Sequence, residues 1–223
     1  PTNLGSAFGG SAWTYVPERN QYYLHLFAKQ QPDLNWDNPQ VRNDIYHMMK
    51  FWLDMGVDGF RMDSISFISK PSKFKDAPLE DNKEYGAYYY GSANGPHIHE
   101  YLREMNQKVL SKYDVISIGE TPHTTAKEAR LFVEPDRHEL DMVFQFEHIG
   151  LDQIEGKEKW DVKSLELLDL KKVLSKWQTE LEGQGWNSLF WNNHDLPRIV
   201  SRWGNDSKEY RELSAKMLAT VLH

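Results

Sequence analysis

Cysteine is absent from the 223-residue chain. That removes thiol nucleophiles, thiolate-ligated zinc and disulfides, and it suits a reducing compartment, so a cytoplasmic location is the expectation. Nowhere does an apolar run approach the about 20 residues of a membrane span. Mean hydropathy is −0.70. No secretory leader pattern opens the sequence, which begins at Pro1 rather than Met. Basic residues are the minority, 26 against 33 acidic, for a net charge of −7. Such a surface does not favour phosphate backbones or anionic lipid, so neither nucleic acid nor a membrane is an expected partner. Aromatic residues, by contrast, are plentiful: 8 Trp, 11 Tyr and 10 Phe. They suit a large core, and they also suit surfaces that stack on neutral ligands such as sugars.

Residues 1–36, rich in Gly and Ser, read as loops with one short strand over 22–28. From residue 37 a regular alternation begins. Asn38 before Pro39 starts a helix whose apolar stripe is Val41, Ile45, Met48, Trp52 and Met55, closed by Gly56. A strand follows over 57–63, then a loop rich in Tyr, Pro and Lys over 70–95. Pro96 opens a second helix, with Ile98, Leu102, Met105 and Val109 on one face. A second strand covers 115–119. Thr125 and Glu128 have capping-box spacing, which predicts a third helix to Val133. A third strand covers 142–146. A helix over 170–181 turns Val173, Leu174, Trp177 and Leu181 inward and stops at Gly183. A fourth strand is expected at 188–191. The last helix runs from Ser207, with Tyr210, Leu213, Met217 and Val221 inward.

Short apolar strands alternating with helices imply a parallel sheet covered by helices, an α/β fold. An open doubly wound sheet usually carries a glycine-rich phosphate turn after its first strand. Here Ser64, Ile65 and Ser66 follow instead, which leaves the (β/α) barrel, with chemistry at the C-terminal ends of its strands.

Three of the four strands run into acids: Gly59-Phe60-Arg61-Met62-Asp63, Ile118-Gly119-Glu120 and Asn192-Asn193-His194-Asp195. Singly, each acid reads as a turn, cap or loop residue, and Arg61 with Asp63 as a structural ion pair. Together, three strands deliver carboxylates to one sheet edge. Side-chain alternation puts Arg61 and Asp63 on one face, so the guanidinium keeps Asp63 ionised. Glu120 follows an apolar run, and partial burial there raises its pKa and suits it to donate a proton. One ionised and one protonated carboxyl group are the equipment of glycoside hydrolysis.

These three segments resemble signature segments of the α-amylase superfamily of retaining glycosidases. Gln31-Pro32-Asp33-Leu34-Asn35 resembles a further segment, of its oligo-1,6-glucosidase and α-glucosidase branch. The resemblance runs over nearly the whole chain. It implies that residues 37–223 form part of a (β/α)8 barrel, roughly its fourth to seventh strands with their helices. Residues 1–36 would be the tail of the small domain inserted before them. An earlier Asp…Asn-His segment of the family has no counterpart before residue 57, so the chain is expected to belong to a longer enzyme.

Carried over by position, the resemblance implies that Asp63 is the nucleophile and Glu120 the general acid and base. Asp195 becomes the third carboxylate, holding sugar hydroxyls. Arg61 orients the nucleophile, His194 donates to the same hydroxyls, and Phe146 with Glu147 walls the pocket. Ser64 stands where the branch has Val with α-1,6 preference, or Ala or Thr with α-1,4 preference, which leaves the linkage open. The implied activity is hydrolysis of terminal α-linked glucose from short oligosaccharides by double displacement, with no redox or organic cofactor. Three other readings stand beside it: a non-catalytic barrel scaffold, a sucrose isomerase and a trehalose-6-phosphate hydrolase. The isolated chain is expected to self-associate through exposed strand edges and to have little activity. Tyr85, Tyr88, Tyr89 and Tyr90 either stack on a sugar or pack the loop. His97 and His99, two positions apart at a helix start, diverge and make no metal pair.

Overall fold

In the computed structural model, which describes residues 1–154, 157 and 160–223, the first element is a hairpin. β1 (Trp13–Val16) pairs antiparallel with β2 (Gln21–Leu24) across a turn that Asn20 closes in the left-handed conformation. The single strand expected over 22–28 is thus two. It ends at Leu24: the His25 amide still bonds the Ala12 carbonyl opposite it, but the Ala12 amide turns away to the Leu4 carbonyl and the Asp33 N–H takes the Leu24 carbonyl.

The parallel sheet consists of β3 (Gly59–Met62), β4 (Ile116–Glu120), β5 (Met142–Phe144) and β6 (Trp186–Asn187), hydrogen-bonded in that order. Each strand pairs with the next in sequence and the order never reverses. A doubly wound sheet reverses at its switch point and a (β/α) barrel does not, so the sheet is part of a barrel. Between the strands run α1 (Pro39–Asp54) ahead of β3, α2 (Ile98–Lys108), α3 (Ala126–Val133) and α4 (Leu167–Leu181). The short α5 (Ile199–Trp203), which the pattern did not predict, and α6 (Arg211–Leu222) close the chain.

Register assigns the two faces. Arg61 lies beside Ile118, Ile118 beside Met142, and Glu120 beside Phe144. These form the inner face. Phe60, Met62, Gly119 and Val143 form the outer face, where Met62 and Val143 are buried under the helices. Gly59, at φ +146°, admits no side chain, since a Cβ would lie 1.9 Å from the Ile116 carbonyl oxygen.

Two helices bury a different face from the expected one. In α1 the buried residues are Tyr46, Met49 and Leu53, which pack with α2, while Met48, Trp52 and Met55 are exposed. In α6 only Leu218 is buried, against Trp191, Ile199 and Leu170, and Leu213, Met217 and Val221 are exposed. Both helices are apolar on more than one side, and the neighbours present decide which side is covered. The expected faces of α2 and α4 are the buried ones, although Leu174 is only partly so. The α3 capping box forms in both directions. The fourth strand lies at Trp186–Asn187 rather than 188–191, because β5 ends at Phe144 and leaves the later residues no ladder.

Candidate active site

β3 and β4 end side by side, and one guanidinium joins their acids. Arg61 Nη1 lies 2.5 Å from Asp63 Oδ1, and Nη2 lies 2.7 Å from Glu120 Oε2. The Arg61 guanidinium sits 5.5 Å from the centre of the Phe144 ring, which packs with Phe146 and Phe190. A cation held over an aromatic face and between two carboxylates has little freedom. The sequence put Arg61 with Asp63. Its reach to Glu120 crosses between strands and has no sequence spacing to reveal it.

The two acids differ in environment. The Asp63 side chain is 72% exposed and that of Glu120 only 8%. Burial pushes the Glu120 carboxyl above the usual glutamate range. The Ser64 amide, which donates to Glu120 Oε2 at 2.9 Å, and Arg61 pull the other way, and the nearby Asp63 adds to the rise. To make that amide contact, Ser64 adopts φ +42°, a left-handed backbone rare for a side-chain-bearing residue.

Glu120, Ser64, Phe146 and Asp195 line one cleft of about 770 Å³. Asp195 is half exposed. Its carboxylate lies 3.2 Å from His194 Nε2, and its amide donates to the Asn193 side-chain oxygen at 2.9 Å. The expected acids therefore gather at one rim: Glu120 and Asp195 in the cleft wall, Asp63 joined to Glu120 through Arg61. Glu147 also lines the cleft, where Lys176 and the Trp177 indole N–H, at 2.8 Å, bind its carboxylate.

Other lining residues were not singled out from sequence, among them Phe8, Phe27, His123 and Lys176. They come from the N-terminal loops, the turn after β4 and α4, and they meet only in three dimensions. Of the tyrosines, Tyr88 lines the cleft, whereas Tyr85 lines a separate hollow beside Gly5–Gly10. Asp33, in the Gln31–Asn35 segment, pairs with Lys70 at 2.8 Å and ties that segment to the loop after β3. His97 faces Glu100 while His99 faces buried Glu139, so the two diverge. Among the described residues, no three potential metal ligands lie together.

A parallel sheet with sequential strand order, carrying a shielded and an exposed carboxyl group at the C-terminal rim, defines part of a (β/α) barrel with an acid pair where such barrels carry their sites. The comparisons say which family. The model of the alpha amylase catalytic domain matches residues 1–223, and the chain belongs to that family. It is 59% identical over 225 residues to the oligo-1,6-glucosidase of Parageobacillus thermoglucosidasius and 58% identical over 223 to that of Bacillus cereus. All of this chain is covered in both cases, but only 39% of each relative. Among solved structures, the trehalose-6-phosphate hydrolase of Bacillus licheniformis superposes with a TM-score of 0.89 at 50% identity, over 100% of this chain and 39% of that one. The isomaltulose synthase of Klebsiella sp. LX3 gives 0.91 at 46% identity, over 99% and 39%. The chain thus spans about two fifths of the relatives it matches.

Proposed function

We propose that the protein containing this chain is a retaining α-glucosidase of the oligo-1,6-glucosidase kind, releasing terminal glucose from short α-linked oligosaccharides in the cytoplasm. The observation that carries the reading is the pair of acids on one guanidinium, of which Glu120 is shielded and lines the cleft and Asp63 is exposed to solvent. The shielded acid donates a proton to the leaving oxygen. The exposed carboxylate attacks the anomeric carbon, and the glucosyl ester forms as the glycosidic bond breaks. Glu120, now deprotonated, takes a proton from the water that cleaves the ester. Asp195 and His194 hold sugar hydroxyls, and Phe146 offers the ring an apolar wall. Residues 1–36 belong in this reading to the small inserted domain that covers the rim.

A trehalose-6-phosphate hydrolase is the second reading, favoured by the superposition on that enzyme. Among the described residues, Lys176 is the lysine or arginine that lines the cleft, and its engagement with Glu147 leaves it a poor phosphate ligand. The full-length protein, assayed on isomaltose, maltose, sucrose and trehalose-6-phosphate, decides between them. The expected outcome is preference for isomaltose, with proton NMR showing α-glucose as the first anomer. Asp63→Asn is expected to lower kcat on the order of 10³-fold or more. Inverted product, or full activity in that variant, refutes the assignment.

A further inference from the structure

Three residues past Glu120, His123 holds φ +59°. Side-chain-bearing residues rarely keep this backbone unless their surroundings impose it. Here they do: Ser66 Oγ donates to the Pro122 carbonyl at 3.2 Å, Thr124 Oγ1 donates to Asn94 Oδ1 at 3.2 Å, and Asn94 N–H donates to the Ser66 carbonyl at 2.8 Å. The result is that the imidazole points back across the cleft wall. Its Nε2 lies 2.8 Å from the Tyr88 hydroxyl, and its face stacks on Tyr89 with centroids 3.9 Å apart and planes 23° apart. Tyr88 in turn stacks on Phe67 at 5.8 Å and packs against Phe27 at 6.0 Å.

We propose that His123 is a positioning residue: its ring clamps Tyr88 and Tyr89, from the loop after β3, to the turn after β4, and so fixes the aromatic wall of the cleft beside Glu120. The proposal deepens the glucosidase reading and rests on it for the work Glu120 does. Packing against Tyr88, Tyr89 and Phe67 partly desolvates the His123 ring and lowers its pKa from the ordinary histidine value, which favours an Nε2 that accepts the Tyr88 hydroxyl hydrogen bond. Tyr88 is pushed up to about 12, by burial first and then by Tyr89 and Glu120, so it stays a donor. The groups facing Glu120 are Arg61 and Asp63 from β3 and its end, the Ser64 amide, and Tyr88 from the loop. Only Tyr88 is held by His123. Without the clamp, water reaches Glu120 and its pKa falls toward that of an ordinary glutamate.

The test uses the full-length protein. His123→Gly suits the left-handed backbone and removes the ring. His123→Gln keeps a polar end in reach of Tyr88 but cannot stack, and Tyr88→Phe removes the hydroxyl. His123→Gly is expected to move the high-pH limb of kcat/KM down by about half a pH unit or more. Tyr88→Phe moves it the same way, and His123→Gln recovers part of the loss. The Glu120 carboxyl, followed by carbon-13 NMR and assigned with Glu120→Gln, shifts by the same amount and needs no turnover to be read. If it shifts in a protein that hydrolyses no α-glucoside, the clamp stands and the glucosidase reading falls. A folded His123→Gly variant with an unmoved limb and an unmoved carboxyl titration overturns the proposal. So does a raised KM with both unmoved, which would make His123 a substrate contact.

Discussion

Arg61 is the residue through which the site is wired. Its two terminal nitrogens take one carboxylate each, so the distance between the acids is set by the width of a guanidinium fork. Burial makes Glu120 the acid of the pair, and this has a consequence for stability. A carboxyl group whose pKa is raised by folding binds more protons folded than unfolded. Stability from that group is therefore greatest at low pH and declines as pH climbs from the ordinary glutamate range, about 4, through the raised value. Glu120→Gln removes the dependence. Urea midpoints at pH 4.5 and pH 8 are expected to show wild type losing stability relative to the variant as pH rises, and a constant difference would contradict the assignment. Glu120 was legible in the sequence as an acid after an apolar run. Its bond to Arg61 was not, because cross-strand partners have no fixed separation along the chain.

At the scale of elements, the C-terminal rim depends on how closely β3 approaches β4. At the start of both strands Gly59 sets that approach: its missing side chain lets the Ile116 backbone in, and its φ of +146° belongs to the region glycine favours. Gly59→Ala forces the strands apart or the backbone into another conformation. Thermal unfolding is expected to show a loss of roughly 2 to 5 kcal/mol, overpacking and backbone strain together. The reach of Arg61 to Glu120 is expected to suffer with it, read as a fall in kcat larger than any change in KM. At the start of α3, Thr125→Ala removes the hydroxyl that accepts from the Glu128 amide, leaving only the backbone arm of the capping box, and is expected to cost about 1 kcal/mol, with the pH profile unmoved. Local signals of this kind were readable from spacing alone, as were the buried faces of α2 and α4. The faces of α1 and α6 were not. Period 3.6 identifies an apolar stripe, but a helix with two such stripes needs a neighbour to choose between them.

On the scale of the whole molecule, the described sheet has two edges, β3 and β6, and its inner face is open: Ile116 is 42% exposed and Trp186 73%. Exposed Phe51, Trp52 and Met55 on and just past α1, and Leu213, Met217 and Val221 on α6, add apolar surface at the two flanks. Open edges beside apolar faces favour association. The 223 residues prepared alone are expected to run above monomer mass in light scattering and to hydrolyse α-glucosides poorly. A clean monomer turning over like the full-length protein would contradict both. From residue order alone came the α/β alternation, the positions of the strand-end acids and the chemistry a shielded and an exposed carboxyl group can perform, because alternation, capping and charge are local along the chain. Tertiary structure alone decided that Arg61 spans both acids, that a left-handed His123 carries the tyrosine wall to Glu120, and which helix faces are covered. Each of those depends on distances between segments that the chain brings together only by folding.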